Sequence, residues 1–94
     1  MKESKVVVKN KVGLHARPAS LFVQSAAKFK SDINVSCQDP ETKEERNGNA
    51  KSILGILTLG VFGGMEITIR AEGEDEDAAV DTLVALVEDN FGEK

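Results

Sequence analysis

Apolar residues along the chain fall into six short patterns, and each predicts one element. Val6, Val7 and Val8 form a β-branched run that reads as a short strand over residues 5–10. Over residues 16–29, Ala19, Phe22, Val23, Ala26 and Ala27 recur at i, i+3, i+4, i+7 and i+8, one stripe of an amphipathic helix. Pro18 fits only in its first turn, where the missing N–H has no partner to lose, so the helix begins right after His15. Ile33, Val35 and Cys37 alternate with polar residues, which predicts a half-buried strand with those three pointing inward. Ser52 is placed to cap a short helix carrying Ile53, Leu54, Ile56 and Leu57, ended near Gly60. Met65, Ile67, Ile69 and Ala71 alternate as a strand, and Asp75 is placed to cap a last helix on which Val80, Leu83, Val84 and Val87 keep helical spacing.

Between these patterns, residues 38–49 (QDPETKEERNGN) are polar with turn formers at both ends and predict a long connection or a hairpin. A strand within it leaves no apolar trace. The resulting order, β-α-β-β-α-β-α, with no room for several parallel crossovers, predicts an open-faced α/β sandwich: a mostly antiparallel sheet with helices on one face.

Size adds one constraint. Ninety-four residues suit one domain over 1–94, because two halves would each be near the size at which a core becomes marginal. Forty per cent apolar residues can build that core, and with four Phe as the only aromatics it is aliphatic. One Cys and one His cannot form an internal disulfide or a zinc ligand set, so no metal is expected. The N-terminus lacks an apolar signal stretch and the longest uncharged run, residues 52–65, is too short and Gly-rich to span a bilayer; no membrane insertion and a cytoplasmic location are expected. Residues 1–47 hold 9 basic and 6 acidic side chains and residues 48–94 hold 3 and 10. The scattered basic residues lack both the clustering and the aromatic partners that nucleic acid would require, so no nucleic-acid role is expected.

One segment rises above a small soluble domain: Val12-Gly13-Leu14-His15-Ala16-Arg17-Pro18-Ala19-Ser20. It puts the sole histidine at the junction of a Gly-containing loop and a helix start, with an arginine two residues on. A first helical turn offers free N–H groups and partial positive charge to an anion, and a guanidinium fork matches phosphate oxygens. A helix terminus contributes about 0.3–1 kcal/mol to an anion and a charge-assisted hydrogen bond about 1.5–3 kcal/mol. A sum of only a few kcal/mol suits a group that is loaded and unloaded. Histidine can form covalent intermediates, and phosphoryl transfer asks mainly for positioning and charge stabilisation.

Gly-Leu-His-Ala-Arg-Pro-Ala resembles the active-site sequence of the histidine-containing phosphocarrier protein HPr family of the bacterial phosphoenolpyruvate-dependent phosphotransferase system. The resemblance extends to Ala50-Lys51-Ser52 before the short apolar helix, to the strand Glu66-Ile67-Thr68-Ile69, and to the acidic start of the last helix. It implies a four-stranded antiparallel sheet with three helices on one face, and supplies a third strand between Glu41 and Ala50. It further implies that His15 takes a phosphoryl group on a ring nitrogen from phosphorylated enzyme I and passes it to IIA domains of sugar permeases. Arg17 and the Ala16 and Arg17 amides would stabilise that group. By the same resemblance Ser20, Ile53, Leu54 and Leu57 dock partners, and Ser52 is the serine that a dedicated kinase modifies in some members. The chain would be a phosphoryl carrier rather than an enzyme, a monomer, with no cofactor.

Plainer readings stand beside these. Ser52 suffices as a helix cap without any regulatory role, and at least one of Ile53, Leu54 and Leu57 is expected to be core, with Leu54 and Leu57 sharing an exposed face. The acidic run 72–77 suits the dipole of the last helix and is assigned no site. The polar stretch before Ser52 is about half a dozen residues longer than the family hairpin, an insertion that surface loops tolerate. Other readings are a regulatory, nitrogen-related carrier without a transported sugar, a non-catalytic interaction module, and a histidine-nucleophile phosphatase. The last would need further acids or arginines in a pocket.

Overall fold

The computed structural model describes residues 1–10, 13–14, 16–39 and 41–92. Its elements run β1 (Lys2–Val7), α1 (Ala16–Ala26), β2 (Asp32–Gln38), β3 (Glu45–Asn49), α2 (Ile53–Leu57), β4 (Glu66–Glu72) and α3 (Glu76–Glu88). The sheet is antiparallel throughout, in the spatial order β1-β4-β2-β3. Strand alternation sends Val6, Ile33, Val35, Cys37, Ile67, Ile69 and Ala71 to one face. There they meet Ala19, Phe22 and Ala26 of α1, Ile56 of α2, and Val80, Leu83 and Val87 of α3 in one buried cluster. The other face carries Lys5, Asn34, Ser36, Asn47, Thr68 and Arg70. The expected open-faced sandwich with three helices is the fold observed.

Several boundaries differ for physical reasons. β1 lies three residues earlier than the valine run suggests, because Lys2, Glu3 and Ser4 pair through their backbones with Ala71, Arg70 and Ile69. Val8, just past the strand, still exchanges hydrogen bonds with Met65 (2.9 Å) and Gly64 (2.7 Å). α1 stops at Ala26, and Ala27 is exposed rather than part of the stripe. The last turns tighten to i→i+3 bonds from Lys28 to Ser25 and from Phe29 to Ala26, both 3.2 Å. β3 fills the strand that left no apolar pattern. Its core-facing positions are Arg46 and Gly48, and a Cβ on Gly48 would come within 2.5 Å of the Gly55 carbonyl oxygen. The missing side chain lets α2 settle directly on the edge strand.

Asp75 stands at the start of α3 but its carboxylate does not cap that helix. It accepts instead from Lys30 N (2.8 Å), Ser31 N (2.9 Å) and Ser31 Oγ (2.5 Å), tying the β4–α3 turn to the loop after α1. These donors, the Ser31 hydroxyl foremost, lower its carboxyl from 3.8 to about 2. The charged form is therefore favoured in the folded state, so its contribution is full above pH 3.8 and is lost as pH falls through about 2. Asp75→Asn is expected to lower the urea midpoint near neutral pH, with the gap to wild type closing between pH 4 and 2. A gap that stays constant across that range would show the carboxylate charge to be irrelevant.

Candidate functional site

The segment that leads into α1 is held from both sides. Asn10 Nδ2 donates to the Gly13 carbonyl (2.8 Å), Gly13 N–H to the Asn10 carbonyl (3.2 Å), and Leu14 N–H to the Val61 carbonyl (3.1 Å). Leu14 is buried at 3% exposure and anchors the loop in the core. Gly13 has φ +64° and lies against the backbone of Val61 and Phe62, so close that a Cβ would overlap the Val61 carbonyl oxygen. Both the left-handed backbone and the close approach require glycine here. α1 then starts at Ala16, the residue after His15 in the chain. His15 itself lies outside the described residues.

Ala16 and Arg17 are exposed, whereas Pro18 and Ala19 are buried. The first turn thus presents Ala16 and Arg17 to solvent, with helical N–H groups that have no intrahelical partner and a guanidinium, and no acidic residue lies in that turn. Ser20 is half-buried and its hydroxyl accepts from Gln24 Nε2 (3.0 Å).

α2 lies against α1 and runs opposite to it: Lys51 Nζ, before its start, reaches the Phe29 carbonyl (2.7 Å), while Val61, after its end, meets Leu14. Ser52 caps α2, with extended backbone and its Oγ accepting from Gly55 N (3.1 Å), a contact worth about 1 kcal/mol. The expectation that one of Ile53, Leu54 and Leu57 is core is corrected. They are 42%, 68% and 40% exposed, and the buried position is Ile56. A helix of only five residues on an edge strand presents one side to the core and leaves the rest in water.

Phe62, assigned no role from the sequence, is 53% exposed, and its backbone abuts Gly13. An aromatic followed by two glycines and then Met65 could have signalled a loop residue rather than a core one. The polar hairpin between β2 and β3 is also organised. Asp39 Oδ1 accepts from Glu41 N (2.9 Å) and Thr42 N (3.1 Å), which lowers its carboxyl, and its other oxygen pairs with Arg46 Nη2. Among the described residues no group of three His, Cys, Asp or Glu side chains could hold a metal ion, and no helix is long and apolar enough to cross a membrane.

Residues 2–89 match the family model for the PTS HPr component phosphorylation site. The chain belongs to the HPr family. It is 45% identical to the HPr-like protein Crh of Bacillus subtilis over 95% of this chain and 98% of that one. It is 44% identical to the phosphocarrier protein HPr of Mycoplasma pneumoniae over 94% of each. The crystal structure of an HPr from Thermoanaerobacter tengcongensis superposes with a TM-score of 0.85 at 50% identity, covering 100% of this chain and 99% of that one. A dimeric form of the same HPr has also been solved. HPr-family membership makes the chain a phosphocarrier-type protein rather than a catalyst, and accounts for the strand order and the three helices together.

Proposed function

We propose that this HPr-family chain carries a phosphoryl group on His15. A ring nitrogen lone pair attacks the phosphorus of phosphorylated enzyme I, a P–N bond forms as the bond to enzyme I breaks, and the reverse exchange loads a IIA domain of a sugar permease. The observation that supports this most is the exposed first turn of α1, where Ala16 and Arg17 follow His15 with N–H groups that lack intrahelical partners and a guanidinium. Those donors stabilise the phosphoryl oxygens by a few kcal/mol at most, which leaves the group transferable. Ser20, Ile53, Leu54 and Leu57 form the docking surface for both partners, and the three apolar side chains supply area that stays in water until a partner covers it. The carrier works as a cytoplasmic monomer of one HPr-like domain, without cofactor, nucleic acid or membrane.

Incubation with phosphoenolpyruvate, cognate enzyme I and a panel of IIA proteins tests the reading: label passes through this chain to at least one IIA, and no transfer to any of them contradicts it. Arg17→Lys keeps the charge and loses the fork, so transfer slows roughly tenfold while stability changes by less than about 0.5 kcal/mol, since the side chain is exposed. Equal transfer rates would remove Arg17 from the chemistry.

The likeness to an HPr-like protein favours a second reading, in which the carrier serves regulation and no sugar is moved. In that setting a kinase acting on Ser52 would add about 1.5–2 negative charges at the start of α2, beside the docking surface, and slow exchange with acidic partners. The same acceptor panel separates the two, because a purely regulatory carrier loads no sugar-permease IIA.

A further inference from the structure

We infer that Arg46 is a positioning residue for the loop that bears His15, an inference that rests on the phosphocarrier reading above. Arg46 occupies a core-facing position of β3 beyond the edge of the apolar cluster, paired across the ladder with Cys37. Its guanidinium is used on two sides. Nη2 pairs with the Asp39 carboxylate, which the hairpin turn itself fixes through Glu41 N and Thr42 N. Nη1 donates to the Leu59 carbonyl at 3.0 Å, just past α2. Gly60, at φ +67°, makes room for it, because a Cβ there would come within 2.9 Å of Nη1.

Leu59 begins the segment that embraces the site. Two residues on, the Val61 carbonyl accepts from Leu14 N–H, and Val61 and Phe62 enclose Gly13. A continuous chain of contacts therefore runs from Asp39 through Arg46 and the 59–62 backbone to Gly13 and Leu14, the residues just before His15. Leu59 is 1% exposed and is held by packing. Its carbonyl otherwise receives only the weak Cys37 Sγ contact at 3.7 Å among the described residues. The guanidinium fork is the strong polar tie between the β2–β3 hairpin and the loop that follows α2. The long hairpin thereby gains a purpose: it holds the arginine that sets this loop.

Arg46→Gln keeps most of the side-chain length and cannot serve both acceptors; Asp39→Asn weakens the same tie from its other end. Exchange of the Leu14 amide with deuterium should quicken about tenfold in Arg46→Gln, while the Val35 amide, in the middle of β2, keeps its protection. In phosphoryl transfer from enzyme I, kcat should fall three- to tenfold with KM for the carrier within twofold. Asp39→Asn should fall between Arg46→Gln and wild type. Asp75→Asn, destabilised at the other end of α1, should keep wild-type kcat. Unchanged Leu14 exchange in Arg46→Gln would overturn the inference, as would a change in KM alone or an equal kcat loss in Asp75→Asn. Absence of any phosphate uptake by the wild-type chain would instead defeat the phosphocarrier reading, and the exchange result would still decide whether Arg46 sets the loop.

Discussion

Replacing His15 with alanine is expected to abolish phosphate uptake from phosphoenolpyruvate and enzyme I. No second histidine exists in the chain to take over, and phosphoryl transfer through a covalent intermediate cannot proceed without its nucleophile. Loss of the covalent nucleophile costs a serine protease about 10⁶-fold in rate, so the variant of this carrier should show no phosphorylated species on any practical timescale. The donors proposed at Ala16 and Arg17 remain in that variant, but on the phosphocarrier reading they stabilise a transferred group and do not accept one. Intact mass spectrometry reads the outcome, and a thermal melt on the same sample separates lost chemistry from lost fold. A variant that still gains phosphate would place the acceptor elsewhere, with Ser52 the first site to examine.

Gly13→Ala is expected to be the most damaging change within the site's framework. The left-handed backbone at Gly13 costs a side chain about 1–2 kcal/mol, and a Cβ overlapping the Val61 carbonyl adds about 1–3 kcal/mol of overpacking. Relief requires the 61–62 backbone to retreat, which breaks the Leu14-to-Val61 hydrogen bond and loosens the entry to α1. Both stability and transfer rate should therefore fall, unlike Arg17→Lys, which should affect transfer alone. A urea titration beside the transfer assay checks this, and a Gly13→Ala protein with wild-type midpoint would show that the loop yields freely.

Elements whose apolar residues repeat with their own geometry could be read from the chain alone. α1, β2, β4 and α3 lie near their expected places because Phe22, Val35, Ile69 and Leu83 each face one shared core. β3 was invisible for a physical reason: its inward positions hold Arg46, which reaches beyond the core, and Gly48, whose missing side chain admits α2. Hydrophobic periodicity carries no signal where an edge strand contributes backbone rather than side chains. Only the family resemblance supplied it. β1 slipped because backbone pairing, and not burial, extends it through Lys2, Glu3 and Ser4.

The candidate site divides in the same way. Gly13, Arg17 and Ser52 were marked by local chemistry: a turn residue, a fork beside a helix start, a favoured cap. Asp75 was marked as a cap too, yet tertiary donors at Lys30 and Ser31 claim its carboxylate. Phe62 and Arg46 depend on how α2 and its following loop return to the start of α1, a long-range arrangement that no spacing rule encodes.

On the phosphocarrier reading, the imidazole of His15, the residue before α1, holds a transferable phosphoryl group. The intact mass of the wild-type protein after incubation with phosphoenolpyruvate and enzyme I, taken before and after brief acid or alkali, tests it. A single phosphoryl addition that acid removes and alkali spares is the expected result. An unchanged mass, or an addition that survives acid as a hydroxyl ester would, contradicts it.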